Sequence, residues 1–286
     1  MKQIIDHNVL TSTYLWVDHL FCNEGSGHIN TNARFYKTNE IYNNYFYYTS
    51  PYNQFVADSS VSGATIITGL YINNVFVGTG TSGLYQIDYR RGAAVFSTGL
   101  PTTATISGIF AIKDFNIAIA DDTDENLLFE RKHYLKPKIG QQTTGLYPNE
   151  NLYPIIYIRN ENSKNEPLAF GGLDNSNFNL RFTILADSQW NLDAVLGMLR
   201  DKTRTYIPIV SENQMPLGVF GGFKSSNYNY TGIVHKKIVN GSGYFIEDYS
   251  SSKLFLRYKG DVGVLTENVK VGFVSLNLIN TRYPRF

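Results

Sequence analysis

The sequence predicts a mainly antiparallel β protein with one central helix, an α+β chain built of sandwich- or barrel-like units. Three observations carry that expectation. Residues 50–96 alternate short runs rich in Val, Ile, Tyr and Phe with turn pairs such as Asn73-Asn74 and Arg91-Gly92, the pattern of hairpins. Aromatic residues make up 14% of the chain, with 21 Tyr and 18 Phe, and these side chains suit pleated, half-buried surfaces. Only the stretch after Asp187 joins a helix cap to an apolar face at helical spacing.

In chain order, residues 1–22 form an N-terminal arm or short helix. Ile5, Val9, Leu10, Leu15, Val17, Leu20 and Phe21 have partly helical spacing, but Thr11-Ser12-Thr13 is a poor helix centre. A short helix followed by a strand and an extended arm fit equally, and packing on the chain's own core is preferred over docking on a neighbour. Residues 23–32 read as a loop, broken by Gly25, Gly27, Asn30 and Asn32. Residues 42–52 are aromatic, and a strand there turns Phe46 and Tyr47 to opposite faces. Residues 65–77, 84–89 and 93–97 read as a β-meander. Residues 103–112 and 115–119 follow as strands about a turn at Asp114, and 127–133 as another after the acidic turn 121–125.

The shift in composition at 140–151 is the expected boundary between a β-sandwich-like unit, 23–140, and a second β-rich unit, 141–286. The second unit opens with strands at 153–158 and 179–185. Its helix, 188–202, is capped by Ser188 and carries Leu192, Val195, Leu196 and Leu199 on one face. Arg200 and Lys202 complement the dipole at its end, and Pro208 bars a much longer helix. Strands are expected again at 217–220, 230–239, 244–248, 254–258 and 269–278, with a turn at 240–243 and a polar-aromatic tail at 281–286.

Composition limits the function. With 25 basic against 24 acidic residues, the chain lacks the basic excess of a nucleic-acid binder, and sequence-specific nucleic-acid recognition is not expected. No run approaches the roughly 18 apolar residues of a membrane span, and Asp6, His7 and Asn8 interrupt any secretory core. The sequons at Asn229 and Asn240 therefore read as chance. Cys22 is the one cysteine, so neither an internal disulfide nor a thiolate cluster is available, and a small buried side chain is the simplest reading.

The motifs with chemical potential fail on context. The glycines of 78–83 match G-x-G-x-x-G, but strand-like residues follow where a helix N-terminus is needed, so a β-turn is expected. Asp121, Asp122, Asp124 and Glu125 lack EF-hand spacing and read as a solvated turn. His19 and His28 bracket Cys22 without standard zinc spacing. Ser62 and Ser82 sit in no nucleophile elbow, and Asp187 and Glu247 are carboxylates with nothing to mark them as a glycosidase pair. The expectation is a non-enzymatic protein with no cofactor or metal. Its interaction residues would be the aromatics Tyr45, Phe46, Tyr47, Tyr48 and Tyr52, with Tyr283 and Phe286 of the tail.

Residues 50–64, 69–97 and 181–209 give the chain an order and composition that resemble virion structural proteins of tailed bacteriophages, in particular neck or head-to-tail connector proteins of contractile-tailed phages. The resemblance covers well under half of the chain. It implies a subunit assembled in the host cytoplasm into a homo-oligomeric ring of the virion. Its expected partners are connector or adaptor proteins and the tail terminator or sheath. The alternative carried with it is a receptor- or carbohydrate-binding tail or decoration protein of a virion.

Overall fold

The computed structural model describes residues 5–42, 44–120, 122–124, 126–130, 153–169, 173–218, 223–224, 227–234, 243–254 and 269–282. They form two mainly antiparallel sheets, curled toward half-barrels, with few helices.

The first sheet contains β1 (His28–Tyr42), β2 (Tyr45–Thr49), β3 (Gly69–Ile72), β4 (Val75–Gly78), β5 (Leu84–Asp88), β6 (Ala93–Phe96) and β7 (Ile106–Lys113). Its order is β4-β3-β7-β1-β2-β6-β5. β1 pairs with β7 through residues 28–35 and with β2 through residues 36–42, so one long strand links the two parts of the curl. The hairpin turns are the ones the sequence marks. Asn73 and Asn74 both take positive φ, as a tight turn between β3 and β4 requires. Gly92, between β5 and β6, has φ +63°, and a Cβ there would lie 1.9 Å from the Tyr52 carbonyl oxygen, so only glycine fits. The 78–83 segment is a turn between β4 and β5, with Gly80 and Gly83 at positive φ.

The second sheet contains β8 (Asn116–Ile119), β9 (Ile155–Ala169), β10 (Leu173–Ala186), β11 (Tyr206–Pro208), β12 (Gly243–Leu254) and β13 (Lys270–Arg282), in the order β11-β12-β13-β10-β9-β8. Only β8 and β9 run parallel. The central helix is α2 (Gln189–Arg200). The Ser188 hydroxyl accepts from the Asn191 amide at 3.2 Å, and Leu192, Val195, Leu196 and Leu199 are buried.

The N-terminal segment departs from both expected forms. Residues Ile5–Asn23 are one continuous helix, α1, longer than α2 and buried against β8, β9 and β11. Thr11-Ser12-Thr13 does not break it, and the first two hydroxyls find backbone partners while the Thr13 hydroxyl is buried without one. Thr11 Oγ1 donates to the His7 carbonyl at 2.8 Å, and Ser12 Oγ accepts from the Val210 amide at 3.1 Å. Side chains of α1 and of both sheets, among them Leu15, Phe110 and Leu276, share one buried cluster. A smaller cluster gathers Leu127, Leu128, Tyr153, Tyr157 and Val271.

Other expectations are corrected. The loop expected over 23–32 gives way to β1 at His28. The strand expected from residue 127 is instead a π-helical turn, Asn126–Glu130, packed down by Leu127 and Leu128. Residues 230–233 are a short helix, α3 (Tyr230–Ile233), because the Asn229 side chain caps the Gly232 amide at 2.9 Å. Within 217–220, Leu217 makes an isolated bridge to Phe223. Thr281 and Arg282 belong to β13 rather than to a tail. The expected boundary at 140–151 and the segments 131–133, 219–220, 235–242 and 255–258 lie outside the described residues.

Candidate interaction surface

Register places a row of side chains on the outer face of the first sheet. Phe76 on β4 pairs with Tyr71 on β3, Tyr71 with Ser107 on β7, and Ser107 with Arg34 on β1. Tyr36, two residues beyond Arg34 and so on the same face, opposes Thr49. Tyr47 and Tyr45 continue that face along β2. The inner face takes the alternate residues, Phe35, Leu70, Phe110 and Phe96, all buried.

The outer face mixes polar residues with large apolar side chains that are open to solvent. Phe76 and Tyr36 are each 53% exposed, Tyr85 57% and Tyr71 38%, and Ile109, opposite Asn32 of β1, is exposed as well. Tyr71 and Phe76 meet edge to face at 5.4 Å, and Tyr45 lies against Tyr85 at 4.8 Å, so the rings hold one another in place. Arg34 is exposed beside Tyr36 and carries no ion pair among the described residues.

The aromatics expected to mediate interaction divide between the two faces. Tyr45 and Tyr47 are half-buried and face outward. Tyr48 points into the core against Phe96, at 5.1 Å, and its hydroxyl accepts from the Leu100 amide at 2.9 Å. Phe46 is half-buried with Lys37 Nζ 5.3 Å from its ring, and Tyr52 packs toward Phe110. Tyr283 and Phe286 lie outside the described residues. Tyr36, Tyr71, Phe76 and Tyr85 were missing from the expected set. Tyr71 and Phe76 had a readable signal, since residues flanking a two-residue hairpin turn symmetrically stand opposite each other on one face.

Two polar knots lie beneath the sheets. In the first, Asp58 is buried: its Oδ2 accepts from His19 Nδ1 at 2.7 Å, and its Oδ1 from the Ser60 amide, the Ser60 hydroxyl and the Tyr230 amide. Burial pushes the Asp58 carboxyl up, but these donors more than offset it and hold it below the ordinary carboxylate range. The Ser60 hydroxyl points at the carboxylate rather than at the imidazole, so Ser, His and Asp do not line up as a nucleophile, base and orienting acid. Tyr230 stacks on His19 at 4.6 Å.

In the second knot, Lys113 pairs with Asp18, both buried, and the Tyr228 hydroxyl donates to Asp18 at 3.1 Å. Burial pushes the Lys113 ammonium down, yet Asp18 beside it more than restores it, leaving it raised. Burial pushes the Cys22 thiol up, which removes its nucleophilic form, and His28 Nδ1 donates to the Cys22 carbonyl instead of sharing a ligand site with it.

The remaining candidates are also tied into structure. Asp124 is not a free solvated acid: it accepts from Thr183 Oγ1 at 2.6 Å and from Arg181, and pairs with Arg159. Asp187 accepts from Asn191 Nδ2, and Glu247 from Asn277 Nδ2. Among the described residues no three His, Cys, Asp or Glu side chains converge as a metal site, and no helix is long and apolar enough to cross a membrane. No protein-family model matches the chain, and no curated protein matches it.

Proposed function

We propose that the chain is a non-enzymatic structural subunit of a phage virion. In this reading it assembles into a ring at the neck and meets connector and tail proteins. The observation that carries this reading is the outer face of the first sheet, where Tyr71 and Phe76 stand exposed in contact toward one end of the strand order, Tyr85 lies against Tyr45 toward the other, and Tyr36 and Ile109 are exposed on the strands between. Apolar patches of several hundred Å² on soluble chains mark interaction sites, and aromatic rings with few charges are what the centres of stable interfaces contain. A ring subunit needs such a surface to meet its neighbours. The resemblance of residues 50–64, 69–97 and 181–209 supplies the virion setting.

Light scattering and negative-stain imaging of the purified chain, alone and with neck components, test the proposal. Closed rings, formed alone or on adding a connector protein, support it. A species that stays monomeric with every neck component counts against it.

A second reading follows from the Tyr45–Tyr85 pair, two rings side by side on a sheet face, which suits stacking on a sugar. A glycan array with wild-type chain and Tyr45→Ala and Tyr85→Ala variants tests it. Binding lost in both variants supports a carbohydrate-binding virion protein, and a blank array removes that reading.

A further inference from the structure

We propose that Arg159, Arg181 and Thr183 form a binding site for a phosphate group, and that Asp124 is an internal anion holding the site until a phosphate displaces it. The inference is independent of the assembly reading above.

Register builds the site on one face of the second sheet. Arg159 of β9 stands directly opposite Arg181 of β10, and Ser275 of β13 stands opposite Arg181 on its other side. Thr183, two residues along β10, faces the same way. Like charges directly across a strand pair repel, so an anion is needed between the two guanidinium groups. Glu161 takes one side of Arg159, whose Nη2 donates to it at 2.8 Å. Among the described residues no carboxylate of the sheet reaches Arg181. Its Nη1 donates to the Ser275 hydroxyl at 3.1 Å, and its guanidinium carbon lies 4.6 Å from the centre of the Phe273 ring. The anion comes instead from the connection between β8 and β9, as the side chain of Asp124.

Asp124 fits this place poorly. The Thr183 hydroxyl donates to its Oδ1 at 2.6 Å. The guanidinium nitrogens stand farther off, with Arg181 Nη2 and Nε at 3.2 and 3.3 Å from Oδ2 and Arg159 Nη1 at 3.4 Å from Oδ1. Bonds between an ionised donor and an ionised acceptor close to roughly 2.7–2.9 Å, and a matched fork gives each donor its own oxygen. Here both Arg181 donors converge on one oxygen. A carboxylate has two oxygens in one plane, too few for two guanidinium groups and a hydroxyl at once. A phosphate offers its oxygens tetrahedrally and carries up to about two negative charges, which matches the two arginines. The side chains of Asp124, Arg159 and Arg181 are 21–23% exposed, so an anion in solution can reach them. Leu127 and Leu128 are buried in the smaller cluster, so the connection keeps its apolar anchor when Asp124 turns out to water.

The test titrates the full chain with inorganic phosphate, with the phosphomonoester glycerol phosphate and with acetate, all at matched ionic strength. Binding is read by NMR of the arginine Nε–H groups, which report on all three anions. Wild type is compared with Asp124→Ala, which empties the place, and with Asp124→Ala/Arg181→Gln, which also removes one fork. Circular dichroism checks that each variant folds, and the wild-type arms decide the matter where a variant does not.

Phosphate is expected to bind wild type and move the Arg181 signal, and acetate to leave it in place. Asp124→Ala should bind phosphate at least about tenfold more tightly, because no internal carboxylate has to be displaced. The double variant should lose that gain. Equal affinity for inorganic phosphate and the ester supports a site for the phosphate group alone, and tighter binding of the ester supports a phosphate carried on a larger ligand. The proposal is overturned if wild type does not respond to phosphate, if acetate binds as well as phosphate, or if Asp124→Ala binds phosphate no more tightly than wild type.

Discussion

Asp58 carries four donated hydrogen bonds on one buried carboxylate, and its depressed pKa turns them into a pH dependence. The folded value lies below the unfolded one of about 3.9, so the stabilisation is full above that pH and is lost as pH falls through the folded value. Asp58→Asn should cost about 2–3 kcal/mol at pH 7, the scale of charged hydrogen bonds, and should flatten the acid limb in urea titrations carried from about pH 5 down to about pH 2. Lys113 has the opposite sign. Its folded value is raised, so its contribution is full below about pH 10.4 and is lost as pH rises through the folded value. Lys113→Met should cost about 3–5 kcal/mol by stranding Asp18, and Asp18→Leu added to it should recover part of that loss in the same assay. Of these residues the sequence singles out His19 and Cys22, but for the wrong chemistry. The true partner of His19, Asp58, is set by how α1 lies across the sheets, which no local spacing encodes, while the His28 ring meets the Cys22 carbonyl rather than its thiol.

At the scale of elements, helix α2 was legible because its cap and its apolar face are both local. Ser188→Ala should lower stability by about 1 kcal/mol, and Leu199→Ala by about 2–5 kcal/mol, read by thermal unfolding. The hairpin turns were legible for the same reason. Helix α1 was not, since Ser12 sits mid-helix to serve a distant backbone amide. Ser12→Ala should strand the buried Val210 amide and cost about 1–3 kcal/mol in chemical denaturation. Strands β9 and β10 run far past the apolar segments the sequence offers. Asn162, Lys164, Asn175 and Asn177 hold strand pairing while their side chains stay polar, because one face of that end of the sheet meets no core. Alternation set Phe46 and Tyr47 on opposite faces without saying which of the two turns outward. Tyr71 and Phe76 were not separated from core residues, because which face turns to solvent depends on the curl of the whole sheet.

At the scale of the molecule, α1 and both sheets share one buried cluster, so few contacts can be lost independently. Unfolding followed by Trp16 emission in a Trp190→Phe background and by far-ultraviolet circular dichroism should give coincident transitions. Two separated midpoints would show that the sheets lose structure one at a time.

The position of α1 also has a consequence for synthesis. The helix leaves the ribosome before every strand, yet its Asn8 bonds the Val210 carbonyl and accepts from Tyr244, and its Asp18 accepts from Tyr228. At about 5–20 residues per second, the apolar side of α1 waits roughly 10–50 s for those later residues to emerge. Nascent chains of this protein should therefore be clients of ribosome-associated chaperones until β12 is translated.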